Sequence, residues 1–178
     1  MALYTPGAYP LQSITVVPRG NALGYALFLP EMDKNSHTLA EYRAKLDVAF
    51  GGRIAEELIY GPDNVTDGAS SDISSATSIA SNMVKRFGFS TAVGPVAYSD
   101  AGEGEVSPAT QAVIEGEIKK LVEGAQQRAR ELLTDRKVEL ERLAEALMEH
   151  ETLDLSEVKR VIKGEKIVKV MEWEAEEL

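Results

Sequence analysis

The 178-residue chain contains no cysteine, which excludes disulfides, thiolate nucleophiles and cysteine-based zinc sites. It has two histidines, His37 and His150, and neither has a second histidine at metal-ligand spacing. No apolar run approaches the ~20 residues needed to cross a bilayer. The N-terminus reads as neither a signal nor a transit peptide, so any membrane link is expected outside this chain. Basic residues are few: 19 Lys and Arg against 29 Asp and Glu give a net charge of -10. Neutralising phosphates takes a basic face, so the balance argues against nucleic acid as a partner. There is no nucleotide-binding loop and no internal repeat.

What is present is ordinary for a globular protein: 44% hydrophobic, 27% charged and 6% aromatic residues. The length allows one substantial core and a second small one. The most informative stretch is LDVAFGGRIAEELIYGPDNVTDGASSD, which reads as a long helix, a loop rich in Gly, Pro, Asp and Asn, and the start of a second helix. Leu46, Phe50, Ile54 and Leu58 form one apolar line on the first helix, and Val48, Ala55 and Ile59 another, the pattern of a buried helix. That helix nevertheless carries Asp47, Arg53, Glu56 and Glu57, and unpaired buried charge is costly. Arg53 and Glu57 stand one turn apart and can pair. Glu56 has no partner on its own helix. Asp72, in line with Ala76, Ile79 and Met83, is expected to point inward.

Along the rest of the chain, residues 1–4 read as the tail of a helix closed by Thr5, Pro6 and Gly7, so Met1 is expected to mark a truncation. Strands are expected over 13–17 and 25–29, forming a hairpin-like pair that needs helices on one face. Its free edge suits either a small structural sheet or the addition of an extended peptide. A helix is expected over 38–60, capped by Ser36 or Asn35, with Gly51-Gly52 marking a close approach of another backbone. A second helix is expected over 71–87, capped by Ser70 and stopped by Gly88. A loop follows, its middle (100–105) expected to be mobile. Ser107-Pro108 opens the longest helix. A helix starting near Asp135 is expected to pair with it as an antiparallel hairpin, and a short one covers 155–163. The fold expected is mainly α (α+β), with a small β-sheet and a C-terminal helical hairpin. The expected division is a core over 1–100, a helical subdomain over 107–163 and an acidic tail over 164–178.

Each candidate residue has a structural and a functional reading. Asp72 is either a helix N-terminal acid favoured by the macrodipole or a carboxylate metal ligand. Glu56 is either an acid paired outside its own helix or a group orienting a metal-bound histidine. Asp47 is expected to bond to a neighbouring loop, and His37 to be an exposed polar residue. His150 suits the C-terminal end of its helix. Arg19 is a turn residue or a contact across an oligomer interface.

The order of segments is more specific than any one of them. ITVVPRGNALGYALFLPE, LDVAFGGRIAEELIYG, VTDGASSDISSAT, NMVKRFGFS, RARELL and ERLAEALMEHETL together resemble the peptidase domain of the FtsH-type ATP-dependent zinc metalloproteases. The resemblance covers most of the chain, and ALYTPGAYPL is most similar to the mitochondrial i-AAA type. It implies a membrane-anchored AAA protease, a homo-hexamer facing the intermembrane space of the mitochondrial inner membrane, degrading unfolded and membrane proteins. It implies zinc as the metal, and ATP bound by an AAA module of the same polypeptide. In that family two histidines of an H-E-x-x-H helix and an Asp bind zinc, with the Glu as general base. The Asp matches Asp72, the supporting acid of the A-E-E segment matches Glu56, and the substrate-binding strand matches Ala22, Leu23, Gly24, Tyr25 and Ala26.

H-E-x-x-H itself is absent from the 178 residues. The family places it immediately before the segment matched by Ala2-Leu3-Tyr4. The expectation is therefore a peptidase module with no catalytic residue of its own, binding no catalytic zinc and cleaving nothing. A pseudoprotease serving as an assembly module is the alternative, and a helical adaptor sharing only composition is a third.

Overall fold

Thr38 starts the helical part of the chain because its hydroxyl accepts the Glu41 N–H while the Glu41 carboxylate accepts the Thr38 N–H, a reciprocal cap. The cap is therefore Thr38; Ser36 is exposed and Asn35 lies outside the described residues. The computed structural model describes residues 1–20, 23–29, 36–98 and 106–167. The chain divides into two compact units, one of Met1–Pro10 and Pro30–Asp135, the other of Leu11–Leu29 and Arg136–Leu178.

In the first unit, the helix expected over 38–60 is two: α1 (Leu39–Ala49) and α2 (Gly51–Tyr60). They meet at Phe50, whose ψ of -3° departs from helical geometry. Two glycines at the start of α2 weaken helical continuity there. The close approach at this point is by the Met1 side chain, 2.8 Å from where a Gly51 Cβ would stand; nothing crowds Gly52. α3 covers Ser70–Lys85 without a side-chain cap from Ser70, and Gly88, at φ +66°, turns the chain beyond it. Ser107 caps α4 (Pro108–Asp135) by accepting the Thr110 N–H.

Leu46, Phe50 and Ile54 meet Ala76, Ala80 and Met83 of α3 and Ala125, Ala129 and Leu133 of α4 in one core. The second apolar line of the wheel is not buried: Ile59 is 46% exposed. Alanines at these contacts let helix backbones approach closely. Asp47, itself buried, is held by Arg128 of α4 through bonds of 2.6–3.1 Å, not by a loop. Glu57 pairs with Arg130 (2.6 and 3.2 Å) and not on its own helix with Arg53. Two long-range ion pairs thus flank the seam at which α4 packs on α1 and α2.

The second unit holds a three-stranded antiparallel sheet in the order β2-β1-β3, from β1 (Leu11–Thr15), β2 (Tyr25–Phe28) and β3 (Thr152–Asp154). Two strands were expected; β3 is too short to show in sequence. Register pairs Thr15 with Tyr25 and with Thr152, and Ile14 with Ala26 and with Leu153, so Leu153 lies on the buried face. α5 (Lys137–His150) and α6 (Leu155–Ile162) complete the unit, α6 capped by a reciprocal Asp154–Glu157 pair. α4 packs within the first unit and α5 against α6 within the second. The fold is mainly α with a small sheet. No described helix is long and apolar enough to cross a membrane.

Ala129 has no exposed surface, so Ala129→Leu is expected to lower stability by about 1–3 kcal/mol through overpacking. Urea unfolding of the two proteins measures it; equal midpoints would show that α4 is not packed this closely.

Candidate functional site

The segment between α2 and α3 joins the helix that carries Glu56 to the helix that carries Asp72. Gly61, at φ +84°, ends α2, and Pro62 opens a 3₁₀ turn over Pro62–Asn64. A second 3₁₀ turn over Asp67–Ala69 runs directly into α3. Glu56, half-buried on α2, reaches across this loop. Its carboxylate accepts the Thr66 backbone N–H at 2.8 Å and the Thr66 hydroxyl at 3.0 Å. The acid without a partner on its helix thus has one ten positions on.

These bonds fix the charge state as well as the loop. The Thr66 N–H, then the Thr66 hydroxyl, hold the Glu56 carboxyl below the usual carboxylate range against the opposing effect of burial. The Arg130 hydrogen bond does the same for Glu57, with smaller contributions from the charges of Arg130 and Arg53.

Asp72 stands in the first turn of α3, and its side chain is exposed rather than inward-facing. The helical line through Ala76 and Met83 is buried, but the helix start extends past the core, where the same face meets solvent. The Asp72 carboxylate has no hydrogen-bond or ion-pair partner among the described residues.

The histidines lie elsewhere. His37 is not an exposed polar residue: it is half-buried between Tyr9 and Tyr42, with Nε2 3.1 Å from the Tyr9 hydroxyl and Nδ1 buried without a partner. His150 ends α5, as expected, 3.9 Å from Glu149. It lines a cavity of about 330 Å³ with Arg142, Glu145, Glu149 and Glu165; neither Glu56 nor Asp72 contributes to it. Arg19 lies over the Tyr25 ring at 5.6 Å, a cation–π contact.

In the second unit, β2 is an edge strand, paired only with β1 among the described residues. Tyr25 and Ala26 are exposed within it, and Leu23 and Gly24 precede it; Ala22 lies outside the described residues. Leu23, Tyr25, Leu27 and Leu29 are all exposed, Leu23 by 84%. A Cβ on Gly24 would stand 2.6 Å from the Thr15 carbonyl oxygen, so only glycine lets the chain enter β2 this close to β1.

Comparison with known proteins first gives the class, a peptidase domain: residues 1–161 match the profile of Peptidase family M41. The chain belongs to that family. It is 50% identical over 170 residues to the mitochondrial inner membrane i-AAA protease supercomplex subunit YME1 of Saccharomyces cerevisiae, covering 96% of this chain and 23% of the relative. It is 46% identical over 167 residues to the human ATP-dependent zinc metalloprotease YME1L1, covering 94% and 21%. To the ATP-dependent zinc metalloprotease FtsH of Caulobacter vibrioides it is 42% identical over 175 residues, covering 92% and 28%. The chain therefore spans about a quarter of the length of these relatives.

Zinc sites take three or four protein donors around one point. No group of three or more His, Cys, Asp or Glu side chains among the described residues could hold a metal ion. The described residues by themselves thus do not fit the zinc that the relatives' names carry. Sequence reasoning missed Thr66, Arg128 and Arg130. A Thr one residue before Asp-Gly is a local cue for a side-chain-to-backbone turn; the two arginines carry no such cue.

Because the folded-state values of Glu56 and Glu57 are depressed, their contribution is present above the ordinary Glu range of about 4.3 and lost as pH falls through the lowered values. Thermal stability is expected to fall below about pH 4, with a shallower acid limb in Glu57→Gln than in the parent. Superimposable acid limbs would show that the Arg130 pair does not respond to pH in this way.

Proposed function

We propose that the chain is the peptidase module of an ATP-dependent zinc metalloendopeptidase, and that Asp72 is its contribution to the zinc site. The observation carrying this is an unpartnered, exposed carboxylate at the rigid start of α3, in the segment that matches the family's third ligand. Glu56 keeps room for a further role. A carboxylate offers about four acceptor positions, so the two Thr66 donors leave space for the imidazole N–H of a metal-bound histidine. The remaining ligands and the general base belong to an H-E-x-x-H segment that the 178 residues do not contain. The chain on its own is inactive.

The exposed edge of β2, reached through Leu23 and Gly24, holds an extended substrate by backbone pairing, with Tyr25 and Ala26 in the pairing strand. Unfolded and membrane proteins are the substrates. An AAA module of the same polypeptide supplies ATP-driven unfolding, and the whole protein is a homo-hexamer of the mitochondrial inner membrane facing the intermembrane space. Identity to the yeast i-AAA subunit supports this assignment over a bacterial one.

In the full-length protease, Asp72→Ala is expected to reduce zinc retention and proteolysis by at least about 100-fold, beyond the loss typical of groups that merely support a ligand, while ATP hydrolysis continues. Zinc content, casein degradation and ATPase assays on one preparation decide it. Full zinc and proteolysis in the variant would end the assignment of Asp72.

A further inference from the structure

Arg19 is a cation that the proposed function leaves unused. Its guanidinium lies 5.6 Å from the centre of the Tyr25 ring and has no hydrogen bond or ion pair among the described residues. The sheet determines what surrounds it. Side chains alternate across a strand, and Ile14 and Leu153, paired across β1 and β3, take the packed face, where Leu153 is fully buried. Ser13, Thr15 and Thr152 take the opposite face, with Tyr25 of β2 beside Thr15. Together with Arg19 they line a hollow of about 310 Å³, and Arg19 is the only charged residue on its walls. The Thr15 hydroxyl is occupied: it accepts the Val17 N–H at 3.1 Å and lies 2.7 Å from the Thr152 hydroxyl. Ser13 is half-buried, and its hydroxyl has no partner among the described residues. Asp154, opposite Ser13 in register, does not line the hollow; its carboxylate accepts the Glu157 N–H and the Ser156 hydroxyl. The hollow therefore offers an unpaired guanidinium and an unpaired hydroxyl with no acid to neutralise them. Its complement is an anion.

The position of Tyr25 on β2 decides which anion. A peptide added to the free edge of β2 places the residue opposite Tyr25 about 4.5–5.5 Å away, Cβ to Cβ, on the same face. That side chain stands beside the ring that Arg19 overlies. A guanidinium lying over a ring still presents a planar set of N–H donors to a carboxylate. Two places to either side along β2, Leu23 and Leu27 expose apolar side chains. We propose that Arg19 forms a subsite for an acidic side chain of an extended peptide paired with β2, so that the strand prefers an acid opposite Tyr25 and apolar residues opposite Leu23 and Leu27. This rests on the reading of β2 as the substrate strand.

Peptide titration tests it on the 178-residue chain, followed by the amide shifts of Tyr25–Phe28. Two five-residue peptides run apolar, polar, central residue, polar, apolar; one has glutamate at the centre and the other glutamine. Both ends are capped, which removes the terminal charges, so that a preference reads the central side chain. The glutamate peptide is expected to bind about 3–10-fold more tightly than its glutamine twin. Arg19→Gln is expected to abolish that preference and leave the affinity of the glutamine peptide unchanged, while Arg19→Lys keeps part of it. Equal binding of the two peptides to the parent overturns the subsite alone. A preference that survives Arg19→Gln, or an equal loss of both peptides in that variant, overturns the role of Arg19. No shift with either peptide overturns the reading of β2 as a substrate strand, and the subsite with it.

Discussion

The buried seam between α4 and the helices before it is the constraint on which the first unit depends. Ala125 and Ala129 are completely buried against Leu46 and Ile54, with Ala76 and Ala80 of α3 in the same core. Packing through alanines leaves little space at the helix contacts and brings Asp47 within reach of Arg128, and Glu57 within reach of Arg130. Asp47 is the buried carboxylate of this core, and leaving such a group unpaired costs several kcal/mol by typical measures. The seam and its two ion pairs therefore fix α2 in place. From α2 the constraint passes outward: Glu56 holds Thr66, Thr66 shapes the turn before α3, and α3 carries Asp72 at its first turn.

The two compact units present different kinds of surface. The first presents an exposed carboxylate on a helix whose other end is locked in the core. The second presents an edge strand with apolar side chains alternating along one face, entered through a glycine that no larger residue can replace. Both units lie within the stretch that matches Peptidase family M41, residues 1–161. Among the described residues, no group of three or more His, Asp or Glu side chains could hold a metal ion.

Much of the fold was legible because it is written locally. The Ser107-Pro108 start of α4 and the stop at Gly88 both follow from neighbouring residues. The features that were misread depend on distance or on helix ends. Asp47 and Arg128 are 81 positions apart, and Glu57 and Arg130 are 73 apart, so no local pattern announces either pair. Asp72 was expected to face inward because a helical wheel has no ends; the real helix starts beyond the core. His37 looked like loop chemistry, yet Tyr9 and Tyr42 enclose it through contacts invisible in sequence. Of the candidate site, Glu56 and Asp72 stood out from the residues themselves, and the resemblance named the roles expected of them. Thr66, which links them, emerged from the geometry.

The central claim is that these residues supply one zinc donor and not a complete site. The most direct test is the zinc content of the 178-residue chain, by elemental analysis after purification without chelator. The account predicts far less than one zinc per chain. Close to one zinc per chain would contradict it, since the metal would have to draw on His37 or His150 together with Asp72, an arrangement incompatible with the environments these side chains occupy.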